Sequence, residues 1–244
     1  MEVINALTSI IGLPNGGVPR PILGYWAIRG LGSPIRYLLV YCGVDFEERM
    51  YSQGDAPDYS RKEWLEKKHS LGLDFPNLPY LIHGNVRMTE TVAIMKYVCA
   101  TYKPELLCSH LGPKMVGEVE MVCNIVSDMK QSVVSRCYQR EPIPTRSDVT
   151  KELVEKSKPL VSWMIKDGKS RKYLMGDHLS YVDFYYAEIL ELLEFVTEGL
   201  IYKEFPVLKE YRDRIFSLPK LKEYYESDRC LKRPFNNKSA VINN

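Results

Sequence analysis

Paired cysteines and clustered histidines are both missing from this sequence. Its six cysteines, Cys42, Cys99, Cys108, Cys123, Cys137 and Cys230, form no C-x-x-C pair. Cys42, Cys99, Cys123 and Cys137 fall in apolar or helical surroundings and read as small hydrophobes. That argues against a disulfide framework and for a reducing compartment, the cytoplasm. The four histidines, His69, His83, His110 and His178, share no metal-ligand spacing, so no metal is expected. An excess of charge is missing too: 33 basic residues stand against 31 acidic ones, a net +2. Neither nucleic acid nor an anionic membrane is called for as a partner. No apolar run is long enough to span a bilayer. The apolar stretch Met1–Ile11 lacks a basic segment before it and is broken by Asn5, Thr8 and Ser9. It reads as part of a flexible N-terminal arm, residues 1–20, and not as a secretory signal.

What remains is ordinary in bulk. The 244 residues are 45% apolar and 26% charged, enough for one large domain or two small ones. No serine or cysteine stands beside a base in a recognisable arrangement. Two tyrosines are the candidates for chemistry: Tyr25, in Gly24-Tyr25-Trp26 near the end of a short apolar run, and Tyr138, at the end of a long amphipathic stretch.

Pro21–Ala27 begins extended. Ser33-Pro34 resembles a cap with proline in the first turn of a helix, and Ile35, Leu38, Leu39 and Cys42 follow at helical spacing. Phe46–Tyr51 is a second strand candidate and Tyr59–Lys68 a short helix. Two short strands follow around Asn77–Gly84, with Pro79 opening the first. Thr89-Glu90-Thr91 then opens an apolar helix, as caps or as an anion site. This order predicts a small α/β domain with a mixed sheet that ends near Lys103.

After Pro113 the pattern is helical almost throughout. Met115, Val119, Val122, Val126, Met129 and Val133 make a packing seam. Glu120, Asn124, Asp128, Gln131, Ser135 and Tyr138 make a second, polar stripe, suited to solvent or to a cleft. A helix is expected from Asp148 to about Lys166. Ser180-x-x-Asp183 reads as a capping box on a core helix, which makes Asp183 structural. Pro206–Ser217 and Pro219–Ser227 are short helices, and the polar tail from Arg233 is irregular.

Several blocks together resemble the mu-class glutathione transferases. They are Leu23-Gly24-Tyr25-Trp26-Ala27-Ile28-Arg29-Gly30-Leu31, then Gly54-Asp55-Ala56-Pro57-Asp58-Tyr59 with Trp64 and Lys68, then Leu71–Ile82. The resemblance runs from Pro21 to near Val241, more weakly after Lys103. It implies a thioredoxin-like N-terminal domain with a mixed four-stranded sheet (21–103), followed by an all-α C-terminal domain (104–244), in a homodimer. It also implies glutathione as co-substrate. Tyr25 would hydrogen-bond the glutathione sulfur, and Tyr138 would donate to the electrophile or its leaving group. Trp26, Arg61, Trp64, Lys68, Asn77, Leu78, Pro79, Glu90 and Thr91 would hold the tripeptide, with Pro79 following a cis bond. Asp128 would reach glutathione bound by the other subunit, and Phe75 would plug that subunit. Ile28, Leu31 and Tyr138 would wall the site for small hydrophobic electrophiles. Glu90-Thr91 replaces the mu pattern Gln-Ser, which puts a carboxylate where the ligand's α-ammonium can pair with it. Two further readings stay open: a non-catalytic ligand-binding relative, and a glutathione-dependent isomerase. Tyr25 argues against the first and Glu90 leaves it open; the shape around Ile28, Leu31 and Tyr138 discriminates the second.

Overall fold

A computed structural model describes residues 19–142, 145–166 and 168–242. Most of the expected arm, residues 1–18, lies outside the described residues. Strand β1 (Ile22–Trp26) pairs in parallel with β2 (Glu47–Tyr51) and antiparallel with β3 (Tyr80–His83), which pairs antiparallel with β4 (Val86–Thr89). The sheet order is β2-β1-β3-β4, the mixed four-stranded, thioredoxin-like arrangement that was expected. Helices α1 (Ser33–Cys42), α2 (Lys62–Lys67) and α3 (Thr91–Tyr102) complete this half. Leu23, Ile35, Leu38, Leu39, Ile94 and Val98 are almost wholly buried between sheet and helices.

The other half is helical: α4 (Pro113–Tyr138), α5 (Arg146–Met164), α6 (Tyr181–Val196), α7 (Leu200–Glu204), α8 (Pro206–Phe216) and α9 (Pro219–Glu226). A two-residue hairpin, Ile165–Lys166 with Lys169–Ser170, interrupts it. The seam on α4 packs as the spacing predicts, with Val119, Val122, Val126, Met129 and Val133 buried. Helix α6 is buried almost all round, which makes it the centre of the helical half. Asp183 is structural, as expected. It is fully buried, and its carboxylate accepts from the Ser180 amide (2.7 Å), the Ser180 hydroxyl (2.8 Å), the Leu174 amide (2.8 Å) and the Tyr211 hydroxyl (2.7 Å).

Local expectations fail at three points. Ser33 is not a cap: the helix already includes it, Gly32 precedes it, and no side chain caps that end. Helix α2 begins at Lys62 and not at Tyr59, because Tyr59 has φ 45° and closes a turn on the Asp55 carbonyl (2.9 Å). Neither Thr89 nor Glu90 caps α3 with its side chain. Glu90 takes the N-cap position at φ 71°, and its carboxylate accepts from Asn77 (3.4 Å). Helix α7 and the 165–170 hairpin are too short to have shown a period in the sequence.

Candidate active site

The turn after β1 wraps around a phenol. Tyr25 is 7% exposed, and its hydroxyl oxygen accepts the Leu31 amide at 2.9 Å. That wrapping needs glycine. At Gly30 (φ +41°) a Cβ would stand 2.7 Å from the Tyr25 hydroxyl, and at Gly32 it would stand 2.6 Å from the ring. Burial pushes the Tyr25 phenol up to about 12, and the Leu31 amide offsets this only in part. The group is therefore protonated at neutral pH. A phenol whose oxygen already accepts one bond still has its own proton to donate. Among the described residues no acceptor takes that proton.

Tyr138 ends α4, half-buried, and its oxygen accepts the Asn237 amide at 2.8 Å. Burial raises its pKa too, against the Asn237 amide. The two phenols lie close enough that a charge on Tyr138 would push Tyr25 up further. Ile28 and Leu31, from the same turn, are buried and half-buried respectively. The three residues expected on the substrate side, Ile28, Leu31 and Tyr138, thus lie around Tyr25.

The tail does more than the sequence suggested. Residues 234–242 strap the two halves across this cleft. The Arg29 and Gly30 amides donate to the Pro234 (2.9 Å) and Phe235 (3.1 Å) carbonyls. The Val241 amide donates to the Cys137 carbonyl (2.8 Å). Lys238 pairs with Asp55 (2.6 Å), and the Ser239 amide donates to Gln53 (3.1 Å). Phe235, Asn236 and Ile242 are buried. A cavity of about 100 Å³ remains between Ala27, Ile28, Ser52, Gln53, Pro234 and Asn237. A larger cleft, about 640 Å³, lies around Arg146, Glu194, Phe195 and Arg233 and includes none of the expected site residues.

On the other side of Tyr25, Trp26 packs half-buried against a cluster of Tyr25, Trp64, Leu73, Leu78 and Tyr80. Trp64 is 5% exposed and stacks on Tyr80 at 6.1 Å, and its indole N–H has no partner among the described residues. One turn on, Lys68 is half-buried and makes no ion pair among the described residues. Arg61 is exposed at the start of α2. The Leu78–Pro79 peptide is cis, and the Leu78 amide donates to the Asn77 side chain at 2.9 Å. Thr91 is 6% exposed, and its hydroxyl has no partner among the described residues. It opens α3, where the first amides of a helix also lack partners inside it. An orphaned hydroxyl beside such amides fits a ligand oxygen, and the unpaired Lys68 and Trp64 donors fit an acidic ligand.

Two expected residues stand apart. Phe75 is 79% exposed, and Asp128 is exposed on α4 beside Met121 (48%) and Ile125 (43%), seven and three residues back on the same face. Within one chain neither touches the cleft. Among the described residues no group of three His, Cys, Asp or Glu side chains could hold a metal, and no helix is long and apolar enough to cross a membrane.

A sheet domain of thioredoxin type joined to a helical bundle, with a buried tyrosine where they meet, defines a class of two-part proteins with a cleft at the junction. Comparison with known proteins names it. The family descriptions "Glutathione S-transferase, N-terminal domain" and "Glutathione S-transferase, C-terminal domain" match residues 21–100 and 127–228. Glutathione S-transferase Mu 1 of Bos taurus is 39% identical over 91% of this chain and 98% of its own length. A glutathione S-transferase of Dermatophagoides pteronyssinus is 38% identical over 84% of this chain and 90% of its own. The crystal structure of the glutathione S-transferase Blo t 8 superposes with a TM-score of 0.79 at 32% identity, covering 91% of this chain and all of that one. The chain belongs to the glutathione S-transferase family, with mu-class members among its relatives.

Proposed function

We propose that the protein conjugates glutathione to small hydrophobic electrophiles. One observation carries this reading: the buried Tyr25 hydroxyl accepts the Leu31 amide at 2.9 Å and keeps its proton for an incoming acceptor. Bound glutathione supplies a thiolate that forms a carbon–sulfur bond while the leaving group departs with its electron pair, the thiol proton having gone to solvent. A free thiol ionises near pKa ~8.5, so little is anionic at neutral pH. Tyr25 favours the anion by donating to it and fixes its position. Its raised pKa keeps it a donor and stops it acting as a base. Tyr138 is likewise protonated and can donate to the electrophile or the group it loses. Ile28 and Leu31 give that side an apolar wall.

In this reading Trp26, Arg61, Trp64, Lys68 and Asn77 grip the tripeptide. Its cysteinyl backbone takes over the Leu78 amide from Asn77. Thr91 and the start of α3 receive the α-carboxylate, and Glu90 pairs with the α-ammonium. All six cysteines are free, which supports a reducing, cytoplasmic setting. The test is the ultraviolet thiolate absorbance of glutathione bound to the protein, titrated against pH. Ionisation well below that of free glutathione is expected; the same midpoint as in water would end the proposal.

Assembly belongs to the same reading. Phe75 is exposed, and so are Val116, Met121 and Ile125 on α4; exposed apolar side chains of this kind are what a second copy covers, and Asp128, on the same face of α4 as Met121 and Ile125, would then reach the other copy's glutathione. Phe75→Ser is expected to weaken the homodimer. Sedimentation across a dilution series checks this, and a dimer as stable as the wild type's would remove Phe75 from the interface.

A further inference from the structure

Arg36, on α1, lies beside Tyr25. It is 1% exposed. Its Nε donates to Glu48 (2.5 Å), and its Nη1 donates to the Ile28 carbonyl (3.0 Å) and the Ser33 hydroxyl (3.4 Å). Its Nη2 is buried with no partner among the described residues. Burying a cation is unfavourable unless opposite charge compensates it. Here a single carboxylate does so, and that carboxylate is 24% exposed, where water screens it.

Position gives this charge a target. A Cβ placed on Gly32 would lie 2.6 Å from the Tyr25 ring and 3.0 Å from Arg36 Nη1. The phenol and the guanidinium therefore face each other across a glycine, with no side chain between them. The titratable groups that feel Arg36 are Tyr25, Tyr224 and Cys230, together with its partner Glu48. Of these, only Tyr25 opens on the cleft between the two halves. A neutral phenol orients an anion but brings no net charge, whereas a cation behind it does, through a poorly screened interior.

We infer that Arg36 is a positioning residue for the conjugation proposed above. Its incompletely neutralised charge biases sulfur at the Tyr25 hydroxyl toward the anion, and its bond to the Ile28 carbonyl fixes the turn that carries the Leu31 amide. The inference rests on that reading of Tyr25. A residue that only braced the turn would keep the bond and lack the field, so the two roles separate experimentally.

Glu48→Gln separates them without disturbing the buried arginine's backbone contact. It removes the counter-charge and leaves the Nη1 bonds in place. The midpoint for ionisation of bound glutathione is expected to fall by about 0.5 pH unit, with KM for glutathione little changed. Arg36→Met is expected to raise that midpoint by about 1 unit, and Arg36→Lys, which keeps the charge, to restore most of it. If Arg36→Met does not fold, Glu48→Gln and Arg36→Lys decide. A Glu48→Gln midpoint equal to the wild type's, beside a wild-type midpoint clearly below that of free glutathione, overturns the role of Arg36 and leaves Tyr25 standing. A wild-type midpoint equal to that of free glutathione overturns both.

Discussion

Replacing Tyr25 with phenylalanine is expected to lower turnover of an aromatic halide by roughly 10²-fold, close to 3 kcal/mol of barrier, with only a modest change in glutathione affinity. The asymmetry follows from what the change removes. Phenylalanine keeps the ring that packs against Trp64, Leu78 and Tyr80. It keeps the glycines' close approach, and every expected contact to the tripeptide's backbone and carboxylates. It loses one oxygen. The sulfur then has no hydroxyl donor, and its ionisation should drift back toward the free thiol's value near ~8.5. The rate at fixed pH falls because less thiolate is present and because what is present is less well placed. The loss should therefore be largest near neutrality and shrink as pH rises past the free thiol's pKa. Stability should fall slightly as well, since the Leu31 amide loses its acceptor. Steady-state rates from about pH 6 to 9, set beside binding of glutathione, check the prediction. Unchanged turnover would take the catalytic role from Tyr25.

Much of the frame was legible in the sequence, and the reasons are physical. Leu23, Ile35, Leu38 and Leu39 on one side, and Val119, Val122, Val126 and Val133 on the other, announce their elements by period, because a strand or helix with one buried face repeats its apolar residues at that face's spacing. Ser180 and Asp183 announce a helix start because they bond each other three residues apart, whatever else Asp183 holds. Segments that bind through distant partners carry no such mark. The tail is the clear case. Asn237, Lys238 and Ser239 have no period, and their bonds go to Tyr138, Asp55 and Gln53, 99, 183 and 186 residues away. Phe235 and Ile242, two large apolar residues in a polar stretch, were the signal available. The buried arginines were hidden for the same reason. Arg29 and Arg36 look like surface charge until the fold supplies Glu188 and Glu48. Thr91 could be read as a cap from its place at a helix start, and only the structure leaves its hydroxyl unpartnered. Among the described residues the side chains of Phe75 and Asp128 gain no partner, and the resemblance implies that both meet a second copy.

Arg29→Met should cost about 3–5 kcal/mol of stability, the usual penalty for breaking a buried ion pair by removing one member. Arg29 holds the turn after β1 to the helical half. Its side chain is 3% exposed and bonds both oxygens of Glu188 (2.6 and 3.1 Å), one oxygen of Glu191 (3.2 Å) and the Tyr37 hydroxyl (3.0 Å), while its guanidinium sits 4.3 Å over the Phe235 ring. Its backbone amide meanwhile holds Pro234 of the tail. The two carboxylates differ in what they would have left. Glu191 keeps Arg212 and Tyr225. Among the described residues Glu188 keeps only Tyr37, so the penalty falls mainly on it. Burial already raises the Glu188 pKa, with Arg29 offsetting it in part; at Glu191 burial pushes up as well, but Arg29 and Arg212 outweigh it and hold the carboxyl low. A carboxyl raised in the folded state regains stability as pH falls and it takes up a proton, whereas one held low loses stability only in stronger acid. Without Arg29, Glu188 rises further. The gap between variant and wild type should therefore narrow from about pH 7 to about pH 5, a range in which Glu191 stays ionised. Adding Glu188→Gln to Arg29→Met should recover about half of the loss at neutral pH and flatten that pH dependence. Urea unfolding of the single and double variants at both pH values measures each term. A gap that does not change with pH would mean that the stranded Glu188 is not what makes Arg29 necessary.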